Sequence, residues 1–197
     1  SRIRTTLGTK RIGQVFKNIM QKAYEKGIVR KVFTFVDSTA IKSKETTWEQ
    51  RDKAIQDGQE DLNNKNVENY SADKDARFGC KGKNKFWYGY KKHASVDMGS
   101  GLIQKVAVTP ANVTDQTGLK HICPRDSMIF ADKAYCYSEA QNTMLSNNCH
   151  SGAILKDNMK QKNKDKDRWI SKVRSPFESV FSKDQIRARY RGIMKVQ

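Results

Sequence analysis

Apolar residues Val15, Phe16, Ile19, Met20 and Ala23 recur at helical spacing and predict an amphipathic helix that ends near Gly27. The run Val32-Phe33-Thr34-Phe35-Val36 is β-branched and aromatic and too short for a typical helix, so it predicts a central buried strand with Asp37 at its far end. Over residues 42–75 the chain turns polar and Asn-rich, with Trp48, Ile55, Leu62, Val67 and Tyr70 too widely spaced to form one apolar face. That stretch reads as an insertion or a loosely packed helical excursion. Strand-like order returns over residues 86–97, and Gly99 to Gly101 supply a hairpin turn into a second strand over 102–109. Pro110 ends this strand, and a polar loop leads to a short helix around 117–122. Residues 128–131 predict a fourth strand that delivers Asp132. Ser138 can cap a helix carrying Ala140, Met144 and Leu145 along one face, and residues 153–155 predict a fifth strand. Residues 156–174 hold eight basic side chains against three acidic ones and are too polar for a core. A last helix-compatible stretch has Phe177, Val180 and Phe181 on one side, with Glu178 beside them.

Charge changes this picture. The 197 residues carry 38 Lys plus Arg against 21 Asp plus Glu, a formal charge of +17. An excess of that size attracts phosphates through counterion release and predicts a polyanionic partner with salt-sensitive binding. No apolar run approaches the roughly 20 residues of a membrane span and no signal-peptide pattern opens the chain, so a cytoplasmic protein with no membrane attachment is expected. The four cysteines, Cys80, Cys123, Cys136 and Cys149, form no Cys-x-x-Cys pair, and with His121 and His150 they match no zinc spacing; they read as reduced thiols buried as small apolar groups. At this length one domain with one active site is the natural expectation.

Two acids, Asp37 and Asp132, stand at the ends of apolar strands, where a carboxylate does nothing for burial and costs several kcal/mol unless it is paired or binds metal. Taken alone, a strand-end aspartate is also a common helix cap or ion-pair partner. If the last helix packs on the sheet, Glu178 joins them, and three convergent carboxylates suit Mg²⁺ or Mn²⁺, hard ions that prefer oxygen and keep positions open for phosphate oxygens. Two such ions serve both hydrolysis and strand transfer at phosphorus.

The residues around these acids carry a resemblance. Phe35-Val36-Asp37-Ser38-Thr39 resembles the first catalytic block of bacterial insertion-sequence transposases of the DDE type, and Ala131-Asp132-Lys133-Ala134-Tyr135 resembles their second. The run from Arg174 through Ser175-Pro176-Phe177-Glu178 to Lys183 resembles the third, with its arginine, catalytic glutamate and following lysine, and Arg189-Tyr190-Arg191-Gly192 resembles the basic segment after it. Between the blocks, Gly82 to His93 and Thr109 to Asp115 also look like family signatures. The match is best to the insertion sequence 5 group and covers about residues 28–197. In two places the chain departs from the family: Ala134 stands where glycine is common, which is harmless if φ is negative there, and Lys183 follows Glu178 by five residues rather than six or seven.

The resemblance implies an α/β, ribonuclease-H-like fold, a mixed five-stranded sheet flanked by helices. Residues 28–197 would form the catalytic domain, with a polar insertion at about 42–80, and residues 1–27 a helical remnant or linker. It implies that Asp37, Asp132 and Glu178 bind two Mg²⁺ ions, with Mn²⁺ able to substitute, and cut and rejoin double-stranded DNA at terminal inverted repeats and target sites, in a homodimer or larger synaptic complex. Arg174, Lys183, Arg187, Arg189, Arg191 and Lys133 are the expected DNA contacts. His93 reads as a strand residue outside the site. Two alternatives stay open: a truncated, inactive copy that only binds DNA, and a ribonuclease-H-like nuclease without strand transfer. Because only 36 residues precede Asp37, weak activity without a partner domain is also expected.

Overall fold

The computed structural model describes residues 2–30, 32–59, 61–82, 84–160 and 162–193; for 2–5, 7 and 179–193 only the backbone is described. Six strands form one mixed sheet. Strand β1 (Phe33–Lys42) pairs antiparallel with β3 (Lys85–Asp97), which pairs antiparallel with both β2 (Arg77–Lys81) and β4 (Ile103–Pro110). On its other side β1 runs parallel to β5 (Met128–Ala131), and β5 runs parallel to β6 (His150–Ala153).

Five strands were expected; the sixth is β2. All but the last of its residues fall within the expected insertion at about 42–80, and they pair with the first part of β3 while β4 pairs with the remainder, so β2 and β4 lie end to end along one edge. Five residues with one buried position are too few to show alternation, which is why β2 escapes a reading by period. The rest of the excursion holds α2 (Trp48–Gln56) and α3 (Val67–Tyr70). Thr47 and Gln50 form a reciprocal capping box at the start of α2. Val67, Ala76 and Tyr88 build a small core, and the Tyr90 hydroxyl donates to Asp73 at 2.7 Å, so this segment is packed onto the hairpin.

Strand alternation divides the main core in two. Val36, Ile129 and Ala131 face α4 (Asp115–Ile122) and α5 (Ser138–Ser146), burying Leu119, Ile122, Ala140 and Met144. Phe35, Phe130 and Val96 face α6 (Lys164–Ile193), whose Ile170, Val173 and Phe177 recur at i, i+3 and i+7. The polar tract thus supplies one apolar stripe with Ile170 fully buried, and of its charges Asp167 and Arg174 are buried as well.

Smaller corrections follow the same logic. α5 is capped at Tyr137 without a side-chain bond, not at Ser138, and Leu145 is exposed although Ala140 and Met144 are buried. The last strand lies at 150–153, not 153–155. In α1 (Arg2–Glu25), interrupted at Gly8 with φ of 70°, only Met20 and Ala23 of the predicted stripe are buried, against Val29. Cys123, Cys136 and Cys149 are buried as expected, but Cys80 is exposed.

Candidate functional site

Register brings the two aspartates together. β1 and β5 pair Phe33 with Met128, Thr34 with Ile129 and Phe35 with Phe130, a constant offset of 95 residues (128 minus 33). The same offset separates Asp37 from Asp132. Both lie two residues beyond the last paired position, Asp37 still on β1 and Asp132 just past the end of β5, close enough that the charge of one bears on the other. Side chains repeat every second residue along β1, so Asp37 shares the face of Phe35, the face covered by α6, whose Arg174 acts on its charge.

Local structure fixes each carboxylate. β1 outruns β5 and continues against β3, where Asp37 pairs with Ala94 and its Oδ1 accepts from the Ser38 amide at 2.8 Å. β5 ends at Ala131, and Asp132 caps a single 3-10 turn, Lys133–Tyr135, its Oδ1 accepting from the Ala134 amide at 2.8 Å. Asp126 and Asn148 are the described non-glycine residues with positive φ, so Ala134 fits this turn without the freedom of glycine. Neither Oδ2 has a hydrogen-bond partner among the described residues. Both aspartates line a cavity of about 450 Å³.

Burial pushes the Asp37 carboxyl up to about 6; the Ser38 amide opposes this, Asp132 adds to it, and Arg174 and Lys81 lower it again. Two neighbouring carboxylates, each with one oxygen that no described residue engages, are donors suited to a hard divalent cation. Mg²⁺ is commonly held by one or two carboxylates together with substrate phosphates, so the pair fits such an ion.

Glu178 is not gathered with them. Its exposed carboxylate lies 3.5 Å from Arg174 one turn earlier on α6, and among the described residues no three His, Cys, Asp or Glu side chains form a metal-sized cluster. Arg174, expected as a DNA contact, is only 7% exposed, with its guanidinium 5.3 Å from the centre of the Phe35 ring and its Nε unpaired. Lys133 is exposed and pairs with Asp157 at 3.3 Å. The side chains of Lys183, Arg187, Arg189 and Arg191 lie outside the described residues.

A third aspartate, missed in the sequence, stands at the same cavity. Asp115 opens α4, and its Oδ1 accepts from Ser38 Oγ at 2.8 Å and from Lys91 Nζ at 3.1 Å. One carboxylate thereby ties α4 to β1 beside Asp37 and to β3. The available signal was Thr114, which caps α4 through its bond from Thr117 and puts Asp115 in the first turn, where an acid is favoured. His93 is a buried strand residue, as expected, bonded to Thr109 at 2.9 Å. A Cβ at Gly118 would lie 2.2 Å from its ring, so α4 can reach β3 only through glycine there.

No helix among the described residues is long and apolar enough to cross a membrane. No curated protein and no solved structure matches the chain. A family model, the transposase DDE domain, matches residues 29–196, a span that takes in both aspartates, Glu178 and the whole sheet. The chain therefore belongs to the transposase DDE domain family.

Proposed function

We propose that residues 28–197 form the ribonuclease-H-like catalytic domain of an insertion sequence 5 group transposase, which cleaves DNA at the element's ends and joins it to a target. The observation that carries this reading is the meeting of Asp37, at the end of the β1–β5 pairing, with Asp132 at one cavity. The five strand positions β4-β3-β1-β5-β6, three antiparallel and then two parallel, support the fold, with β2 an addition at one edge.

Asp37 and Asp132 would hold divalent cations, and Glu178 is the third ligand we assign, because α6 covers the face on which Asp37 lies. When bound, two Mg²⁺ or Mn²⁺ ions supply Lewis-acid stabilisation and an activated oxygen nucleophile. The amides of Ser38 and Ala134 orient the carboxylates. Arg174 acts from inside the fold, where its positive charge favours ionised Asp37. In cleavage a water oxygen attacks phosphorus and the 3′ oxygen leaves; in strand transfer the freed 3′ hydroxyl attacks a target phosphorus and the target's 3′ oxygen leaves. One site serves both because the same bonds are exchanged. The family implies a DNA substrate. Residues 1–27 then form a helical remnant or linker, and a homodimer or larger complex would bring two ends together.

Asp132→Asn tests the assignment. Cleavage of DNA carrying the element's own flanks, with Mg²⁺ or Mn²⁺, should fall by several orders of magnitude while DNA binding persists. Unchanged cleavage would sink the reading. Cleavage without joined products would leave a nuclease in its place.

A further inference from the structure

The cavity that holds Asp37 and Asp132 continues onto the β2–β3 hairpin, where it is lined by Lys42, Lys81, Lys85, Phe86 and Trp87. We propose that this hairpin wall is a track for an unpaired DNA strand next to the cleavage site, with Phe86 as stacking platform and Lys42, Lys81 and Lys85 as phosphate contacts. The proposal rests on the reading of the aspartates as the cutting site.

Three observations point to this occupant. Phe86 is 67% exposed in a cavity that already contains charged groups, where an aromatic ring gains nothing from the protein's own core. Lys81 and Lys85 stand directly opposite each other in the β2–β3 register, and like charges so placed destabilise a strand pair. Neither they nor Lys42 has an ion-pair partner among the described residues. A polyanion removes that repulsion, and the exposed ring adds a preference for bases. Lysines with an aromatic face are the elements of single-strand grooves, in which the backbone is held by charge and the bases stack.

Chemistry favours one strand over a duplex. The cavity, about 450 Å³, has room for a nucleotide within it. The faces of paired bases are covered by their neighbours, whereas a strand end freed by cleavage offers an open face to Phe86. The phosphate next to the scissile one, leaving the aspartates, would meet the lysines first.

The test uses the whole chain without divalent ions, and a mixed-sequence oligonucleotide of roughly 12 nucleotides carrying 2-aminopurine, as a single strand and as a duplex. The single strand should bind with a fluorescence change that reports stacking. Phe86→Ala should weaken single-strand binding about tenfold and abolish that change, with duplex affinity altered less than about twofold, and Phe86→Trp should restore both. Lys81→Gln with Lys85→Gln should reduce the slope of log K against log salt for single-strand binding by about 1.4, roughly 0.7 for each lost phosphate contact. An unchanged melting temperature in Phe86→Ala would show that its exposed site does not disturb the fold. Unchanged single-strand affinity in that variant, or an equal loss for duplex, would overturn the track. If Asp132→Asn abolishes cleavage while Phe86→Ala is inert, the track alone is wrong; if Asp132→Asn still cleaves, it is the transposase reading that fails.

Discussion

Asp37 carries an electrostatic cost in the metal-free fold. Its carboxyl is pushed from 3.8 to about 6, first by burial. An acid whose pKa rises on folding holds its proton more tightly in the folded state than in the unfolded chain. The metal-free protein therefore loses stability between about pH 4 and 6, and above that range carries a constant penalty of about 3 kcal/mol. Asp37→Asn mimics the protonated acid. In metal-chelated buffer at pH 8 the variant should melt higher than the wild type, and at pH 3.5 the difference should vanish. Adding Mg²⁺ should then stabilise the wild type and leave the variant nearly unmoved, since only a ligand bound to the folded state shifts its melting. A variant that melts no higher at pH 8 would mean that Asp37 is already neutralised within the fold.

Among the elements, what was legible in the sequence depended on length and period. β1, β3 and the β3–β4 turn showed themselves because runs such as Phe33-Thr34-Phe35-Val36 combine β-branched and aromatic residues over a full strand. β2 did not, because five residues ending in Gly79-Cys80-Lys81 carry too little pattern. The two aspartates were visible as acids after apolar strands, with the family blocks around them. That they meet follows from parallel pairing across 95 residues, which no local signal contains. Asp115 was hidden for the same reason, since its partners Ser38 and Lys91 belong to other strands. This three-element tie makes its own prediction. The Lys91 and Asp115 side chains are 13% and 23% exposed, so removing one partner strands a largely buried charge. Asp115→Ala should cost about 3 kcal/mol in urea unfolding, and Lys91→Met added to it should recover part of that loss. A simple sum of the two single costs would show that the pair is not coupled.

At the scale of the whole molecule, an acidic site is set in a chain of net charge +17, and the two should answer to salt differently. On the proposed reading the surplus of lysine and arginine attracts DNA, and each phosphate neutralised releases counterions. If six to ten phosphates are engaged, affinity should fall by about 10³ to 10⁵ between 50 and 200 mM salt. Asp37 and Asp132 sit in a partly buried cavity, where a Debye length of about 8–10 Å screens them far less. Turnover at saturating DNA should therefore change little over the same range, while kcat/KM collapses. Measuring both at fixed Mg²⁺ separates the attraction from the chemistry. A turnover number that fell in parallel with affinity would mean that the surface charges take part in the phosphoryl transfer itself.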